Sequence, residues 1–226
     1  MIRIGVLASG SGTNLQALLD ACAAGRIDGT VAVVLSNVPG AGALSRAERA
    51  GVARVVRPSQ GVADRAAYDA DLVEVLRSSG VDLVCLAGYM RIITSGFLAA
   101  FEPTPASRGC PRLMNIHPGL LPAFPGLHAQ RQALSHGARI AGCTVHFVDE
   151  GTDTGPVIVQ AAVPVLPGDD EASLAARILA QEHRIYPQAV QWFAQGRLSV
   201  FGRTVTVDAA DEPAPAALVN PPLEVG

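Results

Sequence analysis

The 226-residue chain contains no lysine, and all 17 of its basic side chains are arginine. That absence excludes Schiff-base chemistry and the lysine of a phosphate-binding P-loop, although an Arg- and Ala-rich composition accounts for it without a functional cause. Basic runs are missing too. With a formal charge of −3, the chain offers no electrostatic footprint for nucleic acid or an acidic membrane, so small molecules are the expected partners. The four cysteines, Cys22, Cys85, Cys110 and Cys143, are scattered and lack paired metal spacing. They lie mostly in apolar runs, where they read as small core residues in a reducing compartment. The histidines share no ligand spacing either, so no metal is expected. No basic region precedes an apolar core at the N-terminus, and no apolar run nears the roughly 20 residues of a membrane span. A cytoplasmic protein is the expectation. No internal repeat is visible, and the length suits one sizeable core.

What is present is an alternation of strands and helices. Ile2 to Ala8 is a short apolar run that reads as a buried strand, and Leu15, Leu18, Leu19 and Cys22 recur at helical spacing behind it. Thr13 or Asn14 can cap that helix and Gly25 can end it. Further strands are read at 31–35, 53–57, 81–86, 112–116, 139–148 and 157–165. Helices are read at 43–50, 64–78, 97–101, 128–135 and 171–195, the last with a break at Pro187. A hairpin is read at 198–207. This order predicts an α/β fold: a Rossmann-like, doubly wound, mostly parallel sheet with helices on both faces and ligands at the carboxyl ends of the strands. Residues 1–207 form one domain in this reading, 102–111 a surface excursion, and the Ala- and Pro-rich 208–226 a loose tail.

Three stretches carry candidate chemistry. Ser9-Gly10-Ser11-Gly12-Thr13-Asn14 connects the first strand to a helix N-terminus, where free N–H groups and the helix dipole make an anion site suited to phosphate. Leu15 stands where a dinucleotide fingerprint has its third glycine, and the next strand ends in Ser36-Asn37 without an acid for a ribose hydroxyl, which disfavours NAD. A tight turn with no ligand is the alternative. Gly88 to Ile93 mixes apolar groups with one guanidinium, fit for a flat ligand with polar edges, or for an ordinary connector. The third stretch, 113–122, is a strand stopped by Pro118-Gly119, so Asn115 and His117 share a face at a strand end. An imidazole can move a proton while an amide steadies a developing oxyanion. The same two side chains could equally serve backbone groups in a loop.

Four segments resemble the folate-dependent formyltransferases, and within them the phosphoribosylglycinamide formyltransferase branch: Gly10 to Ala17, Ala87 to Ile92, Asn115 to Pro122, and Asp153 to Ile158. The likeness runs in order over about residues 1 to 200. Asn-x-His-Pro and the later Asp are shared across the wider family, whereas Ala123 to His128 and Gln132 to Leu134 look like the purine branch. The Arg-Trp-Arg-Gly type continuation and further domain typical of methionyl-tRNA formyltransferase are absent. No room is expected for the N-terminal regulatory domain of formyltetrahydrofolate hydrolase.

The resemblance implies Asn115, His117 and Asp153 as the catalytic set, and Gly12, Thr13, Asn14, Gln181 and Glu182 as the ribonucleotide set. It implies Arg65, Met90, Arg91, Ile92, Ile93, Asn115 and the loop Asp149, Glu150, Gly151, Thr152, Asp153 as the set around 10-formyltetrahydrofolate, the co-substrate, with no metal. Asp153 is expected to favour the His117 imidazolium. His146 either supports Asp153 or merely packs. Gly119 departs from a common serine, and 102–111 looks longer than in typical members. A non-catalytic nucleotide-binding module, or an enzyme with another acceptor, stays open, as does a homodimer.

Overall fold

The computed structural model describes residues 1–209, 218 and 220; the expected loose tail lies almost wholly outside the described residues. The chain runs β1 (Ile2–Leu7), α1 (Thr13–Ala23), β2 (Gly29–Ser36), α2 (Gly42–Arg49), β3 (Ala53–Val56), α3 (Arg65–Ser78), β4 (Leu83–Leu86) and α4 (Ser95–Ala100). It continues through β5 (Leu113–His117), α5 (Ala129–Ser135), β6 (Ile140–Phe147), β7 (Val157–Pro164), α6 (Glu171–Ala194), β8 (Leu198–Phe201) and β9 (Thr204–Val207). One sheet takes the order β3-β2-β1-β4-β5-β6-β7-β9-β8. The first five strands pair in parallel, as the alternation predicts, and β6 runs antiparallel between β5 and β7.

Helices cover both faces because the parallel strands are apolar on both sides. On one face Leu15 and Leu18 of α1, Ala47 of α2, and Leu174, Ile178 and Val190 of α6 pack against Ile4, Val6 and Cys85. On the other, Leu72 and Leu76 of α3 and Phe97 of α4 close over Leu7, Val33 and Leu113. Each such large side chain removed from water stabilises the fold by about 1.5–3 kcal/mol. Cys85, Cys110 and Cys143 are buried and Cys22 half-buried, all as free thiols, in line with their reading as core residues. Among the described residues no helix is long and apolar enough to cross a membrane.

Two local expectations are corrected. Neither Thr13 nor Asn14 caps α1: Gly12 takes the cap position with φ 73° and no side-chain hydrogen bond, which leaves the first N–H groups uncovered. The other end matches expectation, since Gly25 adopts φ 66° and the Gly25 and Arg26 N–H groups return to Cys22 and Ala21. The last helix is not interrupted at Pro187; α6 is continuous over 24 residues, started by a reciprocal Asp170–Ser173 capping box. Proline there removes one bond to the His183 carbonyl, but Tyr186, Pro187, Ala189 and Val190 are all buried against the sheet. Packing on that face outweighs the local loss.

The order of winding reverses between β1 and β4, so their carboxyl ends diverge into a crevice. The turn after β1 and the segment after β4 meet there: the Ser9 N–H donates to the Gly88 carbonyl at 3.0 Å, and the Met90 N–H donates to Ser9 Oγ at 2.8 Å. The Tyr186 hydroxyl, wholly buried on α6, reaches the Leu86 carbonyl at 3.0 Å and the Met114 carbonyl at 3.2 Å. It ties the ends of β4 and β5 to the helix behind them.

Candidate active site

β5 delivers Asn115 and His117 to this edge, and β6 lays His146 directly opposite Asn115 in the antiparallel register. His146 Nδ1 lies 2.7 Å from the Phe147 carbonyl; a ring that donates there leaves Nε2 as an acceptor for the Asn115 amide at 3.2 Å. Asp153 enters from the loop after β6 with φ 55°, a left-handed conformation that aspartate tolerates better than bulky residues. Its two oxygens gather the cluster. Oδ1 is 3.4 Å from Asn115 Nδ2 and 3.6 Å from His146 Nε2. Oδ2 is 3.2 Å from His117 Nδ1 and accepts from the Gly126 N–H at 2.8 Å.

His117 is 3% exposed, and each ring nitrogen faces an acceptor: Asp153 at Nδ1 and the Phe124 carbonyl, 2.8 Å away, at Nε2. Burial lowers its pKa from the ordinary 6.5 and His146 adds to this, while Asp153 and the Phe124 carbonyl pull it back up; the net direction is downward. Asp153 favours the charged ring, as expected, but desolvation of that ring is the larger effect. Burial also raises Asp153, but the His146 ring, the Gly126 N–H and His117 more than offset it and hold the carboxyl below its usual value. The cluster thus holds a carboxylate beside an imidazole that burial keeps neutral, with one acceptor facing each ring nitrogen.

Gly119 has a local reason. A Cβ there would stand 2.8 Å from His117 Nε2 and 3.3 Å from the Phe124 carbonyl, so a side chain at this position would press the loop or the imidazole aside.

Across β4, after β1, lies the turn of Gly12, Thr13 and Asn14. The Asn14 amide donates to Glu182 Oε2 at 2.6 Å, and its own Oδ1 is buried without a partner. Glu182 is 6% exposed, and burial pushes its carboxyl up against the pull of Asn14. Gln181 is not drawn into this pair; its Oε1 accepts from Arg184 along the helix at 2.8 Å.

On the other flank, Arg65 donates to the Ile92 carbonyl at 2.9 Å, and the Arg91 guanidinium stacks on Tyr68 at 4.3 Å. Met90 and Ile92 stay exposed to solvent while Arg91 and Ile93 are half-buried. Asp69, buried at 2% exposure, accepts from the Thr94 N–H at 2.8 Å and anchors the end of this segment. Asp149 accepts from the Gly151 N–H and the Thr154 hydroxyl, which folds the loop of Glu150, Gly151 and Thr152 back on itself. A cavity of about 550 Å3 opens beside that loop, walled by Leu98, Phe101, Glu102, Leu113, Val148 and Glu150. It reaches Asp149 and Glu150 of the expected folate set but none of Met90 to Ile93.

Sequence reasoning left His146 undecided, and it missed the Phe124 carbonyl, the Gly126 N–H and Asp69. A signal existed for His146 alone: two neighbouring strands each ending in polar residues, whose register no local pattern fixes.

A formyl transferase family model matches residues 2–190. The chain belongs to the formyl transferase family. It is 44% identical over 207 residues to the phosphoribosylglycinamide formyltransferase of Escherichia coli K12, covering 92% of this chain and 94% of that one. It is 50% identical over 196 residues to the trifunctional purine biosynthetic protein adenosine-3 of Drosophila melanogaster, covering 86% of this chain but only 14% of that protein's length. Among solved structures, glycinamide ribonucleotide transformylase 1 of Symbiobacterium toebii matches with a TM-score of 0.86 at 59% identity, over 92% of this chain and 94% of that one. Expected fold and family thus agree with what is found.

Proposed function

We propose that the chain transfers the formyl group of 10-formyltetrahydrofolate to the glycine amine of N1-(5-phosphoribosyl)glycinamide, a step of de novo purine (IMP) synthesis. One observation carries the proposal. The anion-ready turn after β1 and the amide–imidazole–carboxylate cluster after β5 share one sheet edge, with only β4 between them. Neighbouring strands lie about 4.8 Å apart, so the two stations are about 10 Å apart, the span from a phosphate across a ribose to a glycinamide amine.

In this reading Gly12, Thr13 and Asn14 hold the phosphate and ribose side. The idle Asn14 Oδ1 accepts from the ribonucleotide, and Glu182 and Gln181 face its glycinamide end. Arg65, Met90, Arg91, Ile92 and Ile93 form one wall for the folate and the loop Asp149 to Asp153 the other, with the adjacent cavity giving room for ring atoms. A single domain over residues 1–207 carries the reaction.

The amine nitrogen attacks the formyl carbon, a C–N bond forms, and the carbonyl oxygen becomes an oxyanion that the Asn115 amide stabilises by hydrogen bonding. Neutral His117 takes the amine proton at Nε2, which exchanges the Phe124 carbonyl for the amine, and the imidazolium so formed stays paired with Asp153 at Nδ1. Asp153 favours that charged ring and orients it. Collapse of the intermediate breaks the bond to N10 of the folate, and His117 returns the proton to that nitrogen, giving the formylated ribonucleotide and tetrahydrofolate. Each protein group makes its strongest interaction after attack, which is where binding energy accelerates a reaction.

An assay with labelled 10-formyltetrahydrofolate and three competing acceptors tests this reading. Label should pass to glycinamide ribonucleotide in preference to water or charged methionyl-tRNA. Release as formate would make the protein a hydrolase, and label on the tRNA would move it to another branch.

A further inference from the structure

The proposed phosphate turn does not hold its own shape, since α1 begins without a side-chain cap. Its middle, Gly10 and Ser11, is held from α2. The Ala43 N–H donates to the Gly10 carbonyl at 3.1 Å, and Arg46 Nε donates to the Ser11 carbonyl at 2.9 Å. Both peptide links are trans, so each N–H points away from its own carbonyl. Fixing the Gly10 and Ser11 carbonyls toward α2 therefore turns the Ser11 and Gly12 N–H groups to the opposite side, away from α2. The two backbones meet too closely for side chains. A Cβ on Gly12 would lie 2.6 Å from Ala43 Cα, and one on Gly42 would lie 2.9 Å from the Ser11 oxygen.

Arg46 is also placed to lend charge. Both its hydrogen bonds go to neutral acceptors, the Ser11 carbonyl and Gln16 Oε1 at 3.1 Å. Asp20, the nearby carboxylate, is engaged by the Gln16 amide at 2.8 Å. The other basic group facing this corner, His183, is pulled below its ordinary value by burial and by the guanidinium itself. Arg46 thus brings a guanidinium, a fixed positive charge, to this corner.

We infer that Arg46 is the positioning residue of the phosphate turn: it fixes the Ser11 carbonyl so that the Gly12 N–H faces the ribonucleotide phosphate, and it adds a fixed positive charge behind that turn. The inference rests on the proposed function, and its test separates the two.

Arg46→Gln, which is shorter, keeps one donor near the Nε position and loses the charge and the planar fork, should raise the KM for glycinamide ribonucleotide about tenfold, the size of one charge-assisted hydrogen bond. The folate KM and the kcat at saturation should stay within about twofold of wild type, because the triad and donor wall are untouched. Thermal melting is recorded beside the kinetics. Should Arg46→Gln not fold, Gly42→Ala carries the same test, since it keeps every charge and only forces α2 off the Ser11 carbonyl. A ribonucleotide KM within twofold of wild type, or equal rises in both KM values, overturns the inference while leaving the transferase reading intact. A wild-type chain that formylates no ribonucleotide overturns both.

Discussion

At the scale of single residues, the balance on His117 decides what the cluster can do. Burial makes the ring neutral at rest, whereas Asp153 and the Phe124 carbonyl reward its protonation. An imidazole that must start neutral loses activity as pH falls through its pKa, so kcat/KM should show an acid limb below 6.5. Asp153→Asn removes a charge that raises this pKa. The limb should therefore move to lower pH, while kcat falls about a hundred- to ten-thousand-fold for lost proton transfer. His117→Ala should lose at least as much, and the double variant little more than the worse single one, as expected of groups acting as a unit. Fully multiplicative losses in steady-state kinetics would separate their roles. Gly119→Ser offers an independent reading of the same ring. Its Cβ would stand 2.8 Å from Nε2 and displace the Phe124 carbonyl, so the His117 pKa, followed by NMR titration, should fall further; an unchanged titration would show that the loop does not set it.

At the scale of elements, the sequence made the alternation legible because each helix and strand carries its own period, and it made the strand end at Asn115 and His117 legible because Pro118 and Gly119 stop β5. Long-range pairings were not legible. That His146 stands opposite Asn115 follows from the β5–β6 register, and that Phe124 caps His117 follows from how a loop closes. Neither is written in local spacing. The continuity of α6 through Pro187 was hidden for a related reason: local propensity argues for a break, and burial against the sheet overrides it. Between elements, Asp69 of α3 holds the Thr94 N–H at the start of α4 and so steadies Met90 to Ile93. Asp69→Ala should remove about 1–3 kcal/mol of stability, the usual consequence of leaving a buried donor unmet. It should raise the folate KM but not the ribonucleotide KM. Denaturant titration and the two KM values check this, and equal KM changes would place the segment outside the donor wall.

At the scale of the whole molecule, the proposed reaction divides one sheet edge into two substrate sides joined at β5. The β1 side presents uncapped helix N–H groups and the Asn14–Glu182 pair; the β4 and β6 side presents exposed apolar side chains, an arginine stacked on tyrosine, and a cavity. Substitution on one side should spare binding on the other. Gly12→Val, which adds branched bulk at φ 73° against Ala43, should raise the ribonucleotide KM far more than the folate KM, and equal effects would count against the division. The most direct measurement is a crystal structure of the chain with glycinamide ribonucleotide and a folate analogue that cannot transfer its one-carbon group. Phosphate density is expected on the Ser11 and Gly12 N–H groups, the pterin between Met90 to Ile93 and the Asp149 to Asp153 loop, and the glycine amine within hydrogen-bond reach of His117. Pterin density away from both segments, or an amine turned away from Asn115 and His117, would contradict the proposed reaction.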